Sequence, residues 1–315
     1  MRHALLALAA VAVISFAAAP ASAQTCGFTI ADVSFGASVD TLSGSDTDTT
    51  ATLQYTCSGW PSLARILICV SFGDGSVAAS GSQRRMQGGG SYLLYQLYQN
   101  SERSVVWGSV YAADPPAAFA AAADGTGAVS GERSIYARVF GGQSTADATT
   151  YGATFTGGDV DIRYRQTADN ECAADLGESG GAVSFNVGAT VPPNCMVTTS
   201  PVNFGTQGIL ATNIDATGSV SVTCTPAATY SIRLNGGNAA AAPMARKMSK
   251  GSDTITYGLY RNSERDQPWG DTEGTTAAGI GSGGTQTHTV YGRVGPQPTP
   301  PIGTYADTVV VVVDY

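Results

Sequence analysis

Apolar and polar residues alternate along this chain in short runs with a period of two. In Thr50–Cys57 the positions Leu53, Tyr55 and Cys57 share one face while Thr and Gln share the other; this is the pattern of a half-buried strand. Ser219–Cys224 repeats it, with Val220, Val222 and Cys224 in phase. Arg65–Phe72 is a nearly unbroken apolar run and predicts a buried or half-buried strand; Ser134–Phe140 and Asp159–Tyr164 predict two more. The cleanest alternation is Ala182–Val191, where Val183, Phe185, Val187, Ala189 and Val191 line one face and Pro192-Pro193 stops the strand. Joints rich in Gly, Asp, Ser and Thr separate these runs. No segment carries the spacing of a long amphipathic helix, so a parallel α/β fold lacks its crossovers. The pattern predicts an all-β chain of immunoglobulin-like β-sandwiches.

The alternation is written twice. Tyr95-Gln-Leu-Tyr-Gln-Asn-Ser-Glu-Arg103 recurs as Tyr257-Gly-Leu-Tyr-Arg-Asn-Ser-Glu-Arg265, matching at seven of nine positions at an offset of 257 − 95 = 162 residues. Cys26 with Phe35-Gly36 matches Cys195 with Phe204-Gly205. Cys57 matches Cys224, Arg85-Met86 matches Lys247-Met248, Trp107-Gly108 matches Trp269-Gly270, and Tyr136–Val139 matches Tyr291–Val294. Conserved order with a drifting offset means two copies of one module that differ in loop length. The copies are expected over residues 24–164 and 182–315, joined by a polar linker at 165–181. The strand at 182–191 either closes the first copy or opens the second, and the sequence leaves both options standing.

Composition changes this picture in three ways. Arg2 and His3, the apolar run Ala4–Ala19 and the small residues Ala21-Ser22-Ala23 read as an export signal over residues 1–23, and no later run is long enough to cross a membrane as a helix. Without Arg2 the mature chain has 15 basic and 24 acidic residues, a balance of 15 − 24 = −9, which argues against nucleic acid and anionic lipid as partners. All six cysteines follow the signal and read as disulfides. The repeat makes Cys26–Cys57 and Cys195–Cys224 equivalent pairs and leaves Cys69 with Cys172.

The candidate chemistry is thin. Gly177-Glu-Ser-Gly-Gly181 fits the G-x-S-x-G pattern of serine hydrolases, but it sits in the linker. His288, the only histidine after the signal, lies in the other copy. Zinc lacks a CxxC pair, and Asp46-Thr-Asp48 lacks the further oxygen ligands of a calcium loop. The expectation is no enzyme, no metal and no cofactor. The duplicated Asn-Ser-Glu-Arg blocks read as a structural turn with an internal Glu–Arg contact. Two apolar loops of the first copy stand out: Ser58–Leu63, with Trp60 and Leu63, and Ala112–Asp124, with Pro115, Pro116 and Phe119, for which the second copy shows no counterpart. Exposed apolar loops of this kind mark interaction sites.

The second copy ends on Tyr305-Ala-Asp-Thr followed by five valines, Val309, Val310, Val311, Val312 and Val313, then Asp314 and Tyr315. Five valines in a row predict a strand buried on both faces. A sandwich that stops there lacks a final partner and leaves an apolar edge that must be covered, for instance by a strand from another chain.

Phe185–Cys195, Asn203-Phe-Gly205, Gly218–Cys224, Tyr257–Tyr260, Trp269-Gly270, Tyr291–Val294 and Gly303–Asp307 together resemble the spore coat U domain, and copy 1 resembles it more loosely. Tandem domains of this type are similar to the two-domain tip adhesin of archaic, Csu-type chaperone–usher pili. The resemblance implies incomplete sandwiches, of which the second here is expected to lack its final strand. It also implies a periplasmic chaperone, an outer-membrane usher and an adjacent pilin as partners. The location it implies is the pilus tip at the cell surface, reached through the periplasm. On this reading domain 2 accepts a donor strand along Val309–Val313 and Tyr315, and domain 1 attaches to an apolar surface or an unknown ligand through its loops, promoting adhesion and biofilm formation. With only Gln24 and Thr25 left ahead of Cys26 after cleavage, the chain is expected to accept a strand without donating one. The alternative is a structural spore-coat or surface-layer protein assembled by the same exchange.

Overall fold

The computed structural model describes residues 23–315; the export signal read over 1–23 lies, except for Ala23, outside the described residues. The described chain is all-β. Twelve strands build a first sandwich: β1 (Thr25–Ile30), β2 (Val33–Ser34), β3 (Thr47–Ser58), β4 (Arg65–Phe72), β5 (Arg84–Gly88), β6 (Ser91–Tyr98), β7 (Ala117–Ala122), β8 (Val129–Val139), β9 (Thr150–Phe155), β10 (Val160–Gln166), β11 (Glu178–Ser179) and β12 (Phe185–Thr190). Eight build a second: β13 (Cys195–Ser200), β14 (Ile214–Cys224), β15 (Thr229–Leu234), β16 (Arg246–Lys250), β17 (Asp253–Tyr260), β18 (Ala277–Ile280), β19 (Thr285–Val294) and β20 (Val311–Asp314).

The first sandwich packs a sheet of order β1-β3-β8-β6-β5-β9-β12-β2 on one of order β11-β10-β4-β7. The second repeats the scheme with β13-β14-β19-β17-β16 and β18-β15-β20. Period-two alternation explains the faces: in β3, Ala51, Leu53 and Cys57 point into the first core, and in β14, Val220, Val222 and Cys224 point into the second. Disulfides tie Cys26 to Cys57 and Cys195 to Cys224 straight across equivalent strand pairs, and a third joins Cys69 to Cys172.

Each core is organised around one tryptophan and one arginine. The Trp107 indole N–H donates to Val70 O at 2.9 Å, and that of Trp269 donates to Ile232 O at 3.0 Å. Arg84 is buried beneath the first tryptophan, donating to Gly73 O (2.7 Å), Phe72 O (2.8 Å), Trp107 O (2.8 Å) and Gln96 Oε1. Arg246, fully buried, donates to Asn235 O (2.8 Å), Pro243 O (2.7 Å), Leu234 O (3.0 Å) and Trp269 O (2.9 Å). These carbonyls sit where a sheet ends and a loop turns away, so strand pairing cannot satisfy them, and a five-donor guanidinium can.

Candidate functional site

The two sandwiches differ most at one edge. In the first, β12 lies between β9 and β2. It pairs antiparallel with β9, from Phe185↔Phe155 to Thr190↔Thr150, and parallel with β2 at Val187↔Val33. Backbone bonds extend the second contact: Phe35 N–H to Gly188 O at 2.9 Å and Val39 N–H to Thr190 O at 3.0 Å. Phe185, Val187, Ala189 and Val191 are each at most 4% exposed and belong to the first core. The Phe185 ring stacks on Phe155 at 4.6 Å and lies 5.1 Å from Phe72. The alternation at 182–191 therefore closes the first sandwich. The segment from residue 182, expected to open the second copy, thus supplies a strand to the first sandwich, and the first strand of the second is β13 at Cys195.

Nothing in the second sandwich occupies the corresponding place. The isolated bridge Ser249↔Ala306 matches Gln87↔Gly152, and Leu234↔Val311 matches Phe72↔Val160. These registers equate Tyr305, Asp307 and Val309 with Tyr151, Ala153 and Phe155, while Val202 and Phe204 take the places of Val33 and Phe35. Between the two walls runs an open cleft of about 1100 Å³. Its floor includes Leu210, Val220, Leu234, Leu259 and Val290, and its walls include Val202, Phe204, Val309 and Val311. Val33 and Phe35 are 1% and 7% exposed, whereas Val202, Phe204 and Val309 are only half-buried. The backbone of 202–205 has no strand beside it, and the Gly205 amide donates to Asn203 Oδ1 at 2.8 Å instead of to a ladder.

Among the described residues, Asp307 is the one charged side chain that lines this cleft. Asp307 Oδ2 accepts the Tyr257 hydroxyl at 2.6 Å, and Oδ1 accepts the amides of Asn238 (2.8 Å) and Thr308 (2.9 Å). Burial, then the bond to Asp307 and its charge, push the Tyr257 phenol above its ordinary value. The equivalent Tyr95 hydroxyl, facing Ala153, is buried without a partner.

The valine run behaves differently from expectation. Rather than being buried on both faces, Val309, Val311 and Val313 pack on the second core while Val310 and Val312 are 50% and 40% exposed. β20 is the outer strand of a sheet with one face on the core and the other in solvent, which imposes alternation. In the first sandwich the equivalent β10 is capped by β11 through Arg163↔Ser179 and Tyr164↔Glu178; β20 has no such cover, and Tyr315 is 57% exposed.

The apolar loops of the first domain do not converge. Trp60 is 6% exposed and packs against Tyr164 within the core, so it is not an exposed anchor; Leu63 is 77% exposed, at a φ of 62°. Residues 117–122, expected in a loop, form edge strand β7 on β4, and β18 is their counterpart in the second sandwich. Alternating Ala117, Phe119 and Ala121 fit a sheet face. Phe119 is half-buried against Tyr55 at 5.5 Å and beneath the Arg133 guanidinium. Pro115 and Pro116 precede β7, and Leu63 lies beyond its other end, about 20 Å away for six residues of strand.

The remaining motifs are structural. Asn100 Oδ1 caps the turn by accepting the amides of Ser104 (3.1 Å) and Val105 (3.0 Å). The expected Glu102–Arg103 contact is absent: Arg103 pairs with Asp48, as Arg265 pairs with Asp215, while Glu102 bonds Asn100 and Ser101. Asp46 and Asp48 are engaged by Arg138. Ser179 is exposed on β11 of the first sandwich, whereas His288 belongs to the second, its Nε2 lying 3.0 Å from the Tyr230 hydroxyl. Sequence reasoning missed the Arg84/Arg246 pair, although it recurs at the 162-residue offset of the neighbouring match. Asp307 was missed because only the paired registers reveal that an alanine, Ala153, takes its place in the first sandwich.

Known proteins resemble this chain in sequence and in fold. Protein U of Myxococcus xanthus is 34% identical over 149 residues, covering 43% of this chain and 79% of that protein. The crystal structure of the CsuC–CsuE chaperone–tip adhesion subunit pre-assembly complex, from the archaic chaperone–usher Csu pili of Acinetobacter baumannii, contains a similar fold. It aligns over 92% of this chain and 100% of the matched one, with a TM-score of 0.54 and 16% identity. The Spore Coat Protein U domain matches residues 12–157 and again 182–312, so the second match begins with the strand that completes the first sandwich. This duplicated match covers most of the chain, which belongs to the Spore Coat Protein U domain family.

Proposed function

We propose that this protein is an exported, non-enzymatic subunit at the tip of a chaperone–usher fimbria. Its second sandwich accepts a strand from the adjacent pilin, after a periplasmic chaperone has held the same cleft. The observation that carries this reading is the contrast between a first sandwich closed by β12 and a second with an open cleft of about 1100 Å³. An open cleft with an apolar floor, along a wall that has no strand beside it, is a site for strand addition. Because β12, which precedes the second sandwich, is consumed inside the first, it is not free to complete a neighbour, and the subunit ends a fibre. The fold likeness to a chaperone–tip adhesion subunit complex supports the same assignment. Leu63, exposed beyond the edge strand, is the residue we assign to surface contact in adhesion and biofilm formation. No described helix is long and apolar enough to cross a membrane.

Immunogold labelling of surface fibres with an antibody to this chain tests the assignment. A single label at fibre ends is expected, and Leu63→Asp should reduce attachment to an apolar surface several-fold without changing fibre number. Label spread along fibres or over a continuous layer overturns the tip assignment. It would favour instead a coat or surface-layer role, the reading that the match to the Spore Coat Protein U domain supports.

A further inference from the structure

Closure of the first cleft by β12 is a template for whatever closes the second, and the two clefts differ in shape. In the first, Phe185 fits between Phe155 and Phe72. Their counterparts in the second are Val309 and Leu234, both smaller, so that end of the cleft is wider. One step along, Val187 sits directly across from Ala153. The counterpart of Ala153 is Asp307, whose carboxylate is held by Tyr257, Asn238 and Thr308 and rests over Gly237, a position where a Cβ would collide with it. The cleft is narrower here and lined by a carboxylate that is already hydrogen-bonded. At the next step Ala189 faces Tyr151, whose counterpart in the second cleft, Tyr305, is again a tyrosine.

On the strand-acceptance reading above, we infer that the partner strand carries a large aromatic residue opposite Val309, a small residue such as Ala, Ser or Gly opposite Asp307, and another small residue opposite Tyr305. It runs antiparallel to 305–309 and parallel to 202–205. Core packing penalises both an unfilled hole and an overfilled one. The aromatic position compensates for two shortened walls, and the small position leaves the Tyr257–Asp307 bond in place.

The test uses the whole mature chain, exported and oxidised, with a copy of residues 182–191 fused after Tyr315 through a flexible linker. Thermal unfolding is followed for three fused copies: unchanged, Val187→Ala and Phe185→Ala. The transition that moves when β12 itself carries Val187→Ala identifies the first sandwich. The unchanged copy is expected to raise the melting temperature of the second sandwich, and the Val187→Ala copy to raise it by about 5 °C more, while the Phe185→Ala copy should lose most of the gain. In β12 itself Val187→Ala should lower the first transition, so one substitution acts with opposite signs in the two clefts. If the Val187→Ala copy stabilises less than the unchanged one, or Phe185→Ala costs nothing, the size rule is wrong although the cleft still takes a strand. If no copy moves the second transition, strand acceptance itself fails.

Discussion

A guanidinium is costly to bury, and this chain buries two, Arg84 and Arg246, each time to satisfy backbone carbonyls that no strand reaches. Arg246→Met keeps much of the volume but leaves the carbonyls of Leu234, Asn235, Pro243 and Trp269 without a donor. We expect a loss of about 3 kcal/mol from the second sandwich, read by denaturant unfolding. A loss below about 1 kcal/mol would mean that water takes over those carbonyls. The surface carboxylates Asp48 and Asp215 behave differently. Hydrogen bonds from Arg138 and Arg293 hold them below the usual carboxylate range, against a smaller opposing effect of burial. A folded-state value below the unfolded one means that this contribution is fully present above the unfolded value, and is lost as pH falls through the folded one. Melting temperature should therefore decline below about pH 4, and Arg293→Gln should flatten the part of that decline that belongs to the second sandwich. An unchanged slope in the variant would remove the pair from the account.

Among the elements, the segment after β10 has no counterpart among the described residues of the second sandwich. It returns as β11 along the edge of β10 and is anchored by Cys172 to Cys69 on β4, while Arg65 donates to Thr167 O at 2.7 Å and Asp169 O at 2.6 Å. Cys69 and Cys172 are 103 residues apart, and a loop of that length gives a disulfide about 4–5 kcal/mol in the chain-entropy model. Replacing both with alanine should destabilise the first sandwich by about 3 kcal/mol and make residues 167–181 the earliest site of limited proteolysis. Cleavage that begins elsewhere would show the segment is held without its bridge. The long alternating strands β3, β8 and β14 were legible in the sequence because one face is buried and one is wet. β7 was not: its six residues are nearly all alanine, which carries little period, and only pairing with β4 reveals it as a strand.

For the whole molecule, the repeat made two sandwiches legible, and the cysteines followed from it. Ownership of 182–191 was not legible, because chain order sets it beside the second sandwich while the cleft that buries it belongs to the first. The open cleft was visible only in part: a missing partner strand could be inferred from the valine run, but the walls at 202–205 and 305–309 come together only in three dimensions. The threading of β12 has a mechanical consequence. The four residues from Val191 to Asn194 are the covalent link between the sandwiches, so tension on the second that overcomes the Ala148–Pro226 backbone bond is delivered into β12 along its own axis. Its pairs with β9, six in register from Phe185 to Thr190, are then loaded together in shear instead of being peeled one at a time. The strand that finishes the first sandwich is also the cable by which it is pulled.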